Sequence, residues 1–392
     1  MTAPLRVLHV MTAIDRGGAE NHLAELVRHQ RASGLAVTVA YLRGNGSWAP
    51  KLRAMGATVQ DLRLRFYGDP RPCSQLRRIL AETSFDLVHA HLPPAELYLR
   101  LALLGRSAKE LPLIISKHND CAFHRIPGQR ALGRWVARRA SAVIAISAAV
   151  WRYMTGPALG LRPETVHPIY YGIDVQPFEN VMKNSVAELR REWGAGPETL
   201  VVGFAGRLVE QKAIDTLIRA FAMWVKCGPR DALLVIAGRG PLEAALRACA
   251  NREGIADRVV WAGFREDVPR VMSAFDVFAL TSVHEGFGLV LVEAMAARRP
   301  VVATRAGAIP EVVVDGETGL LTDPQAPEQF AEALTRMTDP AFRARLGAAG
   351  YRRVLTHFTL ARMWEQTDAL YANCLRATGP HRTPASAAAA LS

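Results

Sequence analysis

Glu285 and Glu293 are separated by seven residues in the segment Thr281-Ser-Val-His-Glu-Gly-Phe-Gly-Leu-Val-Leu-Val-Glu-Ala-Met-Ala296. A strand-like run, Val277–Leu280, precedes this segment, and a helix-like run begins at Leu289. Strand, glycine loop and helix start together make an anion site, because first-turn backbone N–H groups have no partner inside the helix. The backbone of Gly286, Phe287, Gly288, Leu289 and Val290 would form that cradle. Carboxylates beside such a loop need a different purpose, and accepting hydrogen bonds from sugar hydroxyls is the natural one. Arg207 and Lys212 stand five residues apart after another strand-like run, Val201–Phe204, and Gly206. Arginine offers a planar fork and lysine a mobile point charge, which suits two phosphates. The combined pattern fits a nucleotide sugar.

The elements that must hold these residues repeat along the chain. Each half opens as strand, short loop, helix: Val7–Val10 before Gly17-Gly18, and Val201–Phe204 before Gly206-Arg207. Further strands are predicted at Val37–Leu42, Leu87–Ala90, Leu113–Ser116 and Val143–Ile146 in the first half. In the second half they fall at Leu233–Ala237, Val259–Ala262, Val277–Leu280, Pro300–Thr304 and Gly319–Thr322. Helix-length segments separate them, so the expected class is α/β, with two Rossmann-like, doubly wound parallel-sheet domains. The predicted division is 1–177, 178–358, a closing helix over 359–376 that carries Trp364 and Tyr371, and a disordered Pro/Ser/Thr/Ala tail over 377–392.

Composition narrows the setting. At 392 residues the chain is too long for one ordinary core. Its apolar runs fall far short of the roughly 20 residues a membrane span needs. Five cysteines (73, 121, 227, 249, 374) form no Cys-x-x-Cys pair, which favours a reducing cytoplasm. The net charge is +12, and it is uneven: residues 1–175 hold 23 Lys and Arg against 12 Asp and Glu, the remainder 25 against 24. The first half therefore presents itself to an anionic partner.

Histidines mark the strand ends of the first half. His118 follows Leu113–Ser116, at the carboxyl end of a strand, where open α/β sheets bind ligands. His89 and His91 are two apart and share one face of their strand. A metal pair there lacks a third ligand in the sequence, so packing or acceptor contact is the favoured role for His91.

These motifs carry a resemblance. Gly17-Gly18-Ala-Glu20, Asp86-Leu-Val-His-Ala-His91, Gly172-Ile-Asp174, Gly206-Arg207 with Lys212, Ala237-Gly-Arg-Gly-Pro241, Gly263-Phe264, Glu285–Glu293 and Pro300-Val-Val-Ala303 with Glu311 resemble the family-four retaining glycosyltransferases of the GT-B fold. The resemblance spans residues 5–370. It implies two Rossmann-like domains facing across a cleft, the acceptor in the first and the nucleotide-sugar donor in the second, with the last helix crossing back to the first domain. It implies donor contacts from Gly17, Gly18, Arg207, Lys212, Gly238, Phe264 and the Glu285–Val290 loop. Glu293 would take the ribose hydroxyls and Glu285 those of the transferred sugar. His118 would lie beside the reacting carbon, so His118, Arg207, Lys212 and Glu285 form the expected catalytic set. The family places Gly after Ala-Met-Ala-Ala, where this chain has Arg298.

No Asp-x-Asp occurs, so the expectation is metal-independent transfer with no cofactor, from a UDP- or GDP-sugar to a glycan or lipid-linked hydroxyl in bacterial surface-polysaccharide or lipopolysaccharide synthesis. Two basic segments, Arg63–Leu80 with Arg77 and Arg78, and Arg130–Arg139 with Arg130, Arg134 and Arg138 at four-residue spacing, suit a lipid-linked acceptor or an anionic leaflet. A solvated helix face is the plain alternative. The expected location is cytoplasmic, peripheral on the inner face of the plasma membrane. Other classes fit less well. A nucleic-acid partner finds no binding motif. A dinucleotide enzyme would need Gly-x-Gly-x-x-Gly in place of Asp15-Arg-Gly-Gly. A GT-B-like epimerase or phosphorylase is the alternative enzyme, although no lysine follows a pyridoxal phosphate pattern.

Overall fold

The computed structural model describes residues 4–15, 17–118, 127–157, 159–228 and 231–377. Arg16, Asn119, Asp120, Cys121 and the predicted tail from 378 onward lie outside the described residues. The chain divides into two compact units, one running to Gly172 and resuming at Leu360, the other spanning Ile173–Thr359.

The first unit is built on a seven-stranded sheet: β1 Arg6–Met11, β2 Ala36–Tyr41, β3 Thr58–Asp61, β4 Leu87–His91, β5 Leu113–Lys117, β6 Ala142–Ala145 and β7 Val166–Pro168. The spatial order is β3-β2-β1-β4-β5-β6-β7, and all the pairings are parallel. The second unit carries β8 Leu200–Ala205, β9 Ala232–Ala237, β10 Val259–Gly263, β11 Val277–Leu280, β12 Val301–Thr304 and β13 Gly319–Thr322. Their order is β10-β9-β8-β11-β12-β13, again parallel throughout. These central strands read as unbroken apolar runs because helices cover both sheet faces. β11, Val-Phe-Ala-Leu, is buried at every position.

Two strands escaped sequence analysis, and both are edges. β3 reads Thr-Val-Gln-Asp with neither end buried, and β7 has three residues. An edge strand is half solvated and shows no apolar run. The last helix, Leu360–Arg376, packs Met363, Leu370 and Tyr371 into the same core as Val7, Leu23 and Val27 of the first unit.

Arg298 keeps the turn geometry that glycine normally supplies. Its φ is +58°, and its guanidinium carbon lies 3.6 Å from the centroid of the Tyr351 ring. A left-handed residue other than glycine costs roughly 1–2 kcal/mol, and a cation–π contact offsets roughly 0.5–1 kcal/mol of it.

Candidate active site

In a parallel sheet all carboxyl ends share one edge. The second unit's sheet reverses direction of growth between β8 and β11, the crevice where open α/β sheets receive ligands. Arg207 and Lys212 follow β8, and Glu285 follows β11, so the sheet places them on the two lips of that crevice. Two further loops reach the same edge. Gly238 follows β9 at φ +146°, where a Cβ would lie 1.9 Å from the Gly206 carbonyl oxygen, so only glycine lets the loops meet. Phe264 follows β10 and is 45% exposed.

The lips are stitched together. The Thr281 hydroxyl lies 3.0 and 2.9 Å from the carbonyl oxygens of Lys212 and Ala213. The Val283 amide donates to the Gln211 carbonyl at 2.9 Å, and the Gln211 side chain donates to the His284 carbonyl at 2.7 Å. Ala213 takes φ +43° to turn the chain into the helix Ile214–Cys227. Such a conformation in a residue with a Cβ persists only where its surroundings hold it.

The Lys212 ammonium donates to Glu285 Oε1, and the Ser282 hydroxyl donates to the same oxygen at 2.7 Å. Lys212 and Glu285 have separate roles in the sequence reading, phosphate and sugar; in the structure they form one part-buried ion pair. An ammonium has three N–H groups, so two remain for another acceptor. The Arg207 side chain is exposed and has no hydrogen bond or ion pair among the described residues.

Phe287 is buried against Phe358, ring centroids 5.6 Å apart, and anchors the glycine loop. Gly288, at φ +86°, starts the helix Leu289–Ala296, whose first-turn N–H groups, Leu289 and Val290 among them, have no intrahelical partner. Glu293 lies in the second turn of this almost wholly apolar helix. Burial pushes its carboxyl up to about 7, and its carboxylate has no hydrogen bond among the described residues. It nevertheless keeps a partly exposed edge.

In the first unit the corresponding reversal lies between β1 and β4. Gly17 and Gly18 open the helix Gly18–Ala32 after β1, and His91 ends β4. His118 follows β5 but does not face an open site. It is buried; its Nε2 lies 3.2 Å from His91 Nδ1, and its Nδ1 bonds the Tyr171 hydroxyl. Any hydroxyl that met this ring nitrogen to nitrogen would have to replace one of those partners. Burial, then the neighbouring Lys117 charge, lowers its basicity to about 3. Lys117 itself pairs with the buried Glu96.

The third imidazole that the sequence did not offer His89 and His91 is His9, on the adjacent β1. Their ligand atoms all lie within 4.8 Å of one another. Every nitrogen of the three is engaged in a hydrogen bond: His9 with His91 and Gln30, His89 with Tyr371 and Ser116, His91 with His9 and His118. His9, Gln30 and Tyr371 were missed as site neighbours. The signal was the one-face rule applied across strands, since His9 and His89 are register partners.

The basic segments differ in freedom. Arg77 donates to the Leu101 carbonyl at 3.3 Å, and Arg78 pairs with Glu82. The helix Pro127–Ala137 leaves Arg130 exposed. Arg134 is half-buried and donates to the Pro157 carbonyl at 3.0 Å. Arg138 lies exposed beyond the helix end, so the four-residue spacing does not run as one helical stripe. Leu132 and Trp135 are exposed on the same helix.

Comparison with known sequences places this geometry. Residues 199–339 match the family described as glycosyl transferases group 1, and residues 16–177 match glycosyltransferase family 4. The chain is 30% identical to the D-inositol 3-phosphate glycosyltransferase of Thermobifida fusca, with 90% of this chain and 87% of that protein aligned. The chain belongs to the group 1 glycosyltransferases. This glycosyltransferase is also 30% identical to the lipopolysaccharide core biosynthesis mannosyltransferase LpsB of Rhizobium meliloti, over 88% of this chain and 96% of that one. Among solved structures, HepE of Anabaena in complex with UDP superposes with a TM-score of 0.82 at 25% identity, covering 94% of this chain and all of HepE. The two-domain GT-B class expected from the motifs is therefore observed, and the enzyme is a hexosyltransferase of a retaining family.

Proposed function

We propose that the second unit binds a UDP- or GDP-sugar without a metal ion and transfers the sugar, with retention, to a hydroxyl of a glycan or lipid-linked acceptor held by the first unit. The supporting observation is the state of the charged groups at the β8/β11 crevice. Among the described residues the Arg207 side chain has no hydrogen bond or ion pair, Lys212 keeps two donors, and Glu293 is a half-buried carboxyl with no hydrogen bond. Buried polar groups without partners are rare in folded proteins and call for a ligand. In this reading Glu293 accepts from the ribose hydroxyls, and Arg207, Lys212 and the Gly286–Val290 amides take the diphosphate.

The chemistry follows the charge. Cleaving the anomeric C–O bond leaves negative charge on the β-phosphate and positive character on the sugar. Arg207 and Lys212 stabilise the first. Glu285, fixed by Lys212 and Ser282, orients a sugar hydroxyl. The acceptor hydroxyl forms the new bond on the same face as the departing phosphate and gives its proton to a phosphate oxygen. No enzyme carboxylate is needed as a nucleophile. The positive field needed at the diphosphate comes from fixed cations and a helix start, which makes a divalent ion unnecessary.

UDP is the first nucleotide to test because HepE was solved with UDP and with UDP-glucose. A surface-polysaccharide or lipopolysaccharide acceptor is supported by the LpsB likeness. A donor screen in EDTA, reading released UDP or GDP, should show turnover with one nucleotide series; turnover only after adding Mg²⁺ or Mn²⁺ would reject the reading.

Membrane attachment is a second element of the proposal. No described helix is long and apolar enough to cross a membrane. Arg130 and Arg138 flank exposed Leu132 and Trp135, a pairing that suits an anionic surface. The protein should sediment with anionic vesicles and not with neutral ones; equal recovery with both removes this element.

A further inference from the structure

Four buried histidines of the first unit, His9, His89, His91 and His118, join in one continuous chain of hydrogen bonds; a fifth, His22, packs against His118 and Tyr171 with neither ring nitrogen hydrogen-bonded among the described residues. The chain runs from Tyr171 to His118 to His91 (3.2 Å), to His9 (3.0 Å) and to Gln30 (2.9 Å). It continues through the Gln30 amide nitrogen to the Tyr371 hydroxyl (3.5 Å), then to His89 (2.6 Å) and Ser116 (2.8 Å). All eight side chains belong to the first unit. Burial holds the histidines neutral: His9 falls to about 4, His118 to about 3, and His89 and His91 well below their ordinary value.

A neutral imidazole has one donor and one acceptor nitrogen, so a chain of them has a direction. Gln30 sets it. Its carbonyl oxygen faces His9 Nε2, so that nitrogen carries the proton and His9 Nδ1 must accept. His91 then donates from Nε2 and accepts at Nδ1. His118 donates from Nε2 and accepts at Nδ1 from the Tyr171 hydroxyl. On the other side the Gln30 amide donates to the Tyr371 oxygen, whose proton goes to His89 Nδ1, and His89 Nε2 donates to Ser116. With Gln30 in this orientation, every link is satisfied only if all four histidines are the Nε2–H tautomer. Turning the Gln30 amide over would reverse every proton at once, so the arrangement is collective. The same saturation argues against a metal at His9, His89 and His91, since an ion would have to displace these bonds.

We propose that Tyr371, on the last helix, and Gln30 are positioning residues for His118, fixing its tautomer and ring orientation through His9 and His91. The consequence for turnover rests on the reading of His118 as a residue beside the reacting sugar; the tautomer claim does not. The hydroxyl of Tyr371 thus reaches a residue 253 positions earlier in the chain without touching it.

Imidazole nitrogen NMR on the full-length ¹⁵N-labelled protein reads the tautomers directly, with no substrate present. His9, His89, His91 and His118 should each show one Nε2–H form. Tyr371→Phe should turn His118 into a mixture of tautomers and lower kcat by roughly threefold to tenfold, the size of one lost neutral hydrogen bond, with the donor KM unchanged. Gln30→Glu, which keeps an acceptor toward His9, should preserve the His118 signal. Asp368→Asn is the control for a loosened last helix: it weakens the 2.6 Å contact to His29 outside the chain and should leave the His118 tautomer alone. An Nδ1–H form of His118 in the wild type overturns the proposal. So does an unchanged His118 signal in a folded Tyr371→Phe protein, or an equal change in Asp368→Asn. Zinc that shifts His9, His89 and His91 together at one equivalent would also overturn it, in favour of a metal centre. A tautomer change in Tyr371→Phe with kcat unaltered would keep the positioning claim and remove His118 from the reaction.

Discussion

Two regions of the molecule, the β8/β11 crevice of the second unit and the histidine chain of the first, treat their polar side chains in opposite ways. At the β8/β11 crevice of the second unit, Arg207 and Glu293 have no side-chain hydrogen bond or ion pair among the described residues, and Lys212 keeps spare donors. Beneath the first helix of the first unit, the chain from Tyr171 to Ser116 gives every ring nitrogen of His9, His89, His91 and His118 a hydrogen-bond partner, and the adjacent His22 keeps its nitrogens without one among the described residues. An unsatisfied group near a surface crevice is held ready for a ligand, whereas a saturated one serves orientation and rigidity. The contrast separates residues that should change activity alone from those that should also change stability.

The largest expected effect is at Arg207. Arg207→Ala removes an exposed side chain that has no hydrogen bond or ion pair among the described residues, so kcat should fall roughly 10²–10³-fold, as for loss of a donor to developing charge, with the melting temperature unchanged. A parallel loss of melting temperature would break the comparison, because it would make Arg207 a structural residue; steady-state kinetics and a thermal melt decide.

Glu293 gives an intermediate effect with a defined sign. Its carboxyl titrates near 7 in the folded chain against 4.5 ordinarily. Below pH 4.5 it is protonated in both folded and unfolded states and costs nothing. Between 4.5 and 7 the unfolded chain ionises more readily, so stability of the ligand-free protein falls as pH rises, and the loss is complete above 7. Nucleotide affinity should run the other way, rising through pH 7 as the carboxylate forms and accepts the ribose hydroxyls. Glu293→Gln should flatten both profiles. Thermal melts and calorimetry between pH 5 and 8.5 test this; a nucleotide affinity that falls through pH 7 would remove Glu293 from the ribose.

Arg298 should give the smallest effect. It is a cation of the second unit that has a partner, the Tyr351 ring. Arg298→Gly relieves the left-handed strain and loses the ring contact, two effects of roughly 1 kcal/mol and opposite sign, so stability should shift by less than about 1 kcal/mol and activity should not change. A tenfold drop in kcat would show that the turn reports to the proposed donor loop.

Sequence periodicity revealed the central strands because they are apolar on both faces, and Val277–Leu280 and Gly319–Thr322 were located to the residue. It missed Thr58–Asp61 and Val166–Pro168 because edge strands are solvated. The loop proposed here to bind the donor stood out because glycine spacing and paired carboxylates lie in one stretch of sequence. The union of Lys212 with Glu285 was not, since it depends on two loops 73 residues apart meeting at a sheet reversal. The histidine chain was equally hidden. His89 and His91 were read as a pair, but His9, Gln30 and Tyr371 join them only through the β1/β4 register and the return of the last helix.

The central claim is that fixed cations bind the diphosphate without a divalent ion. Calorimetric titration of UDP and of GDP, in EDTA, into the wild type and Arg207→Ala tests it most directly. One nucleotide should bind the wild type with an affinity unaltered by adding Mg²⁺, and at least tenfold more weakly to the variant, about 1.4 kcal/mol. Binding that requires Mg²⁺ or Mn²⁺, or equal affinity in both proteins, would contradict the account.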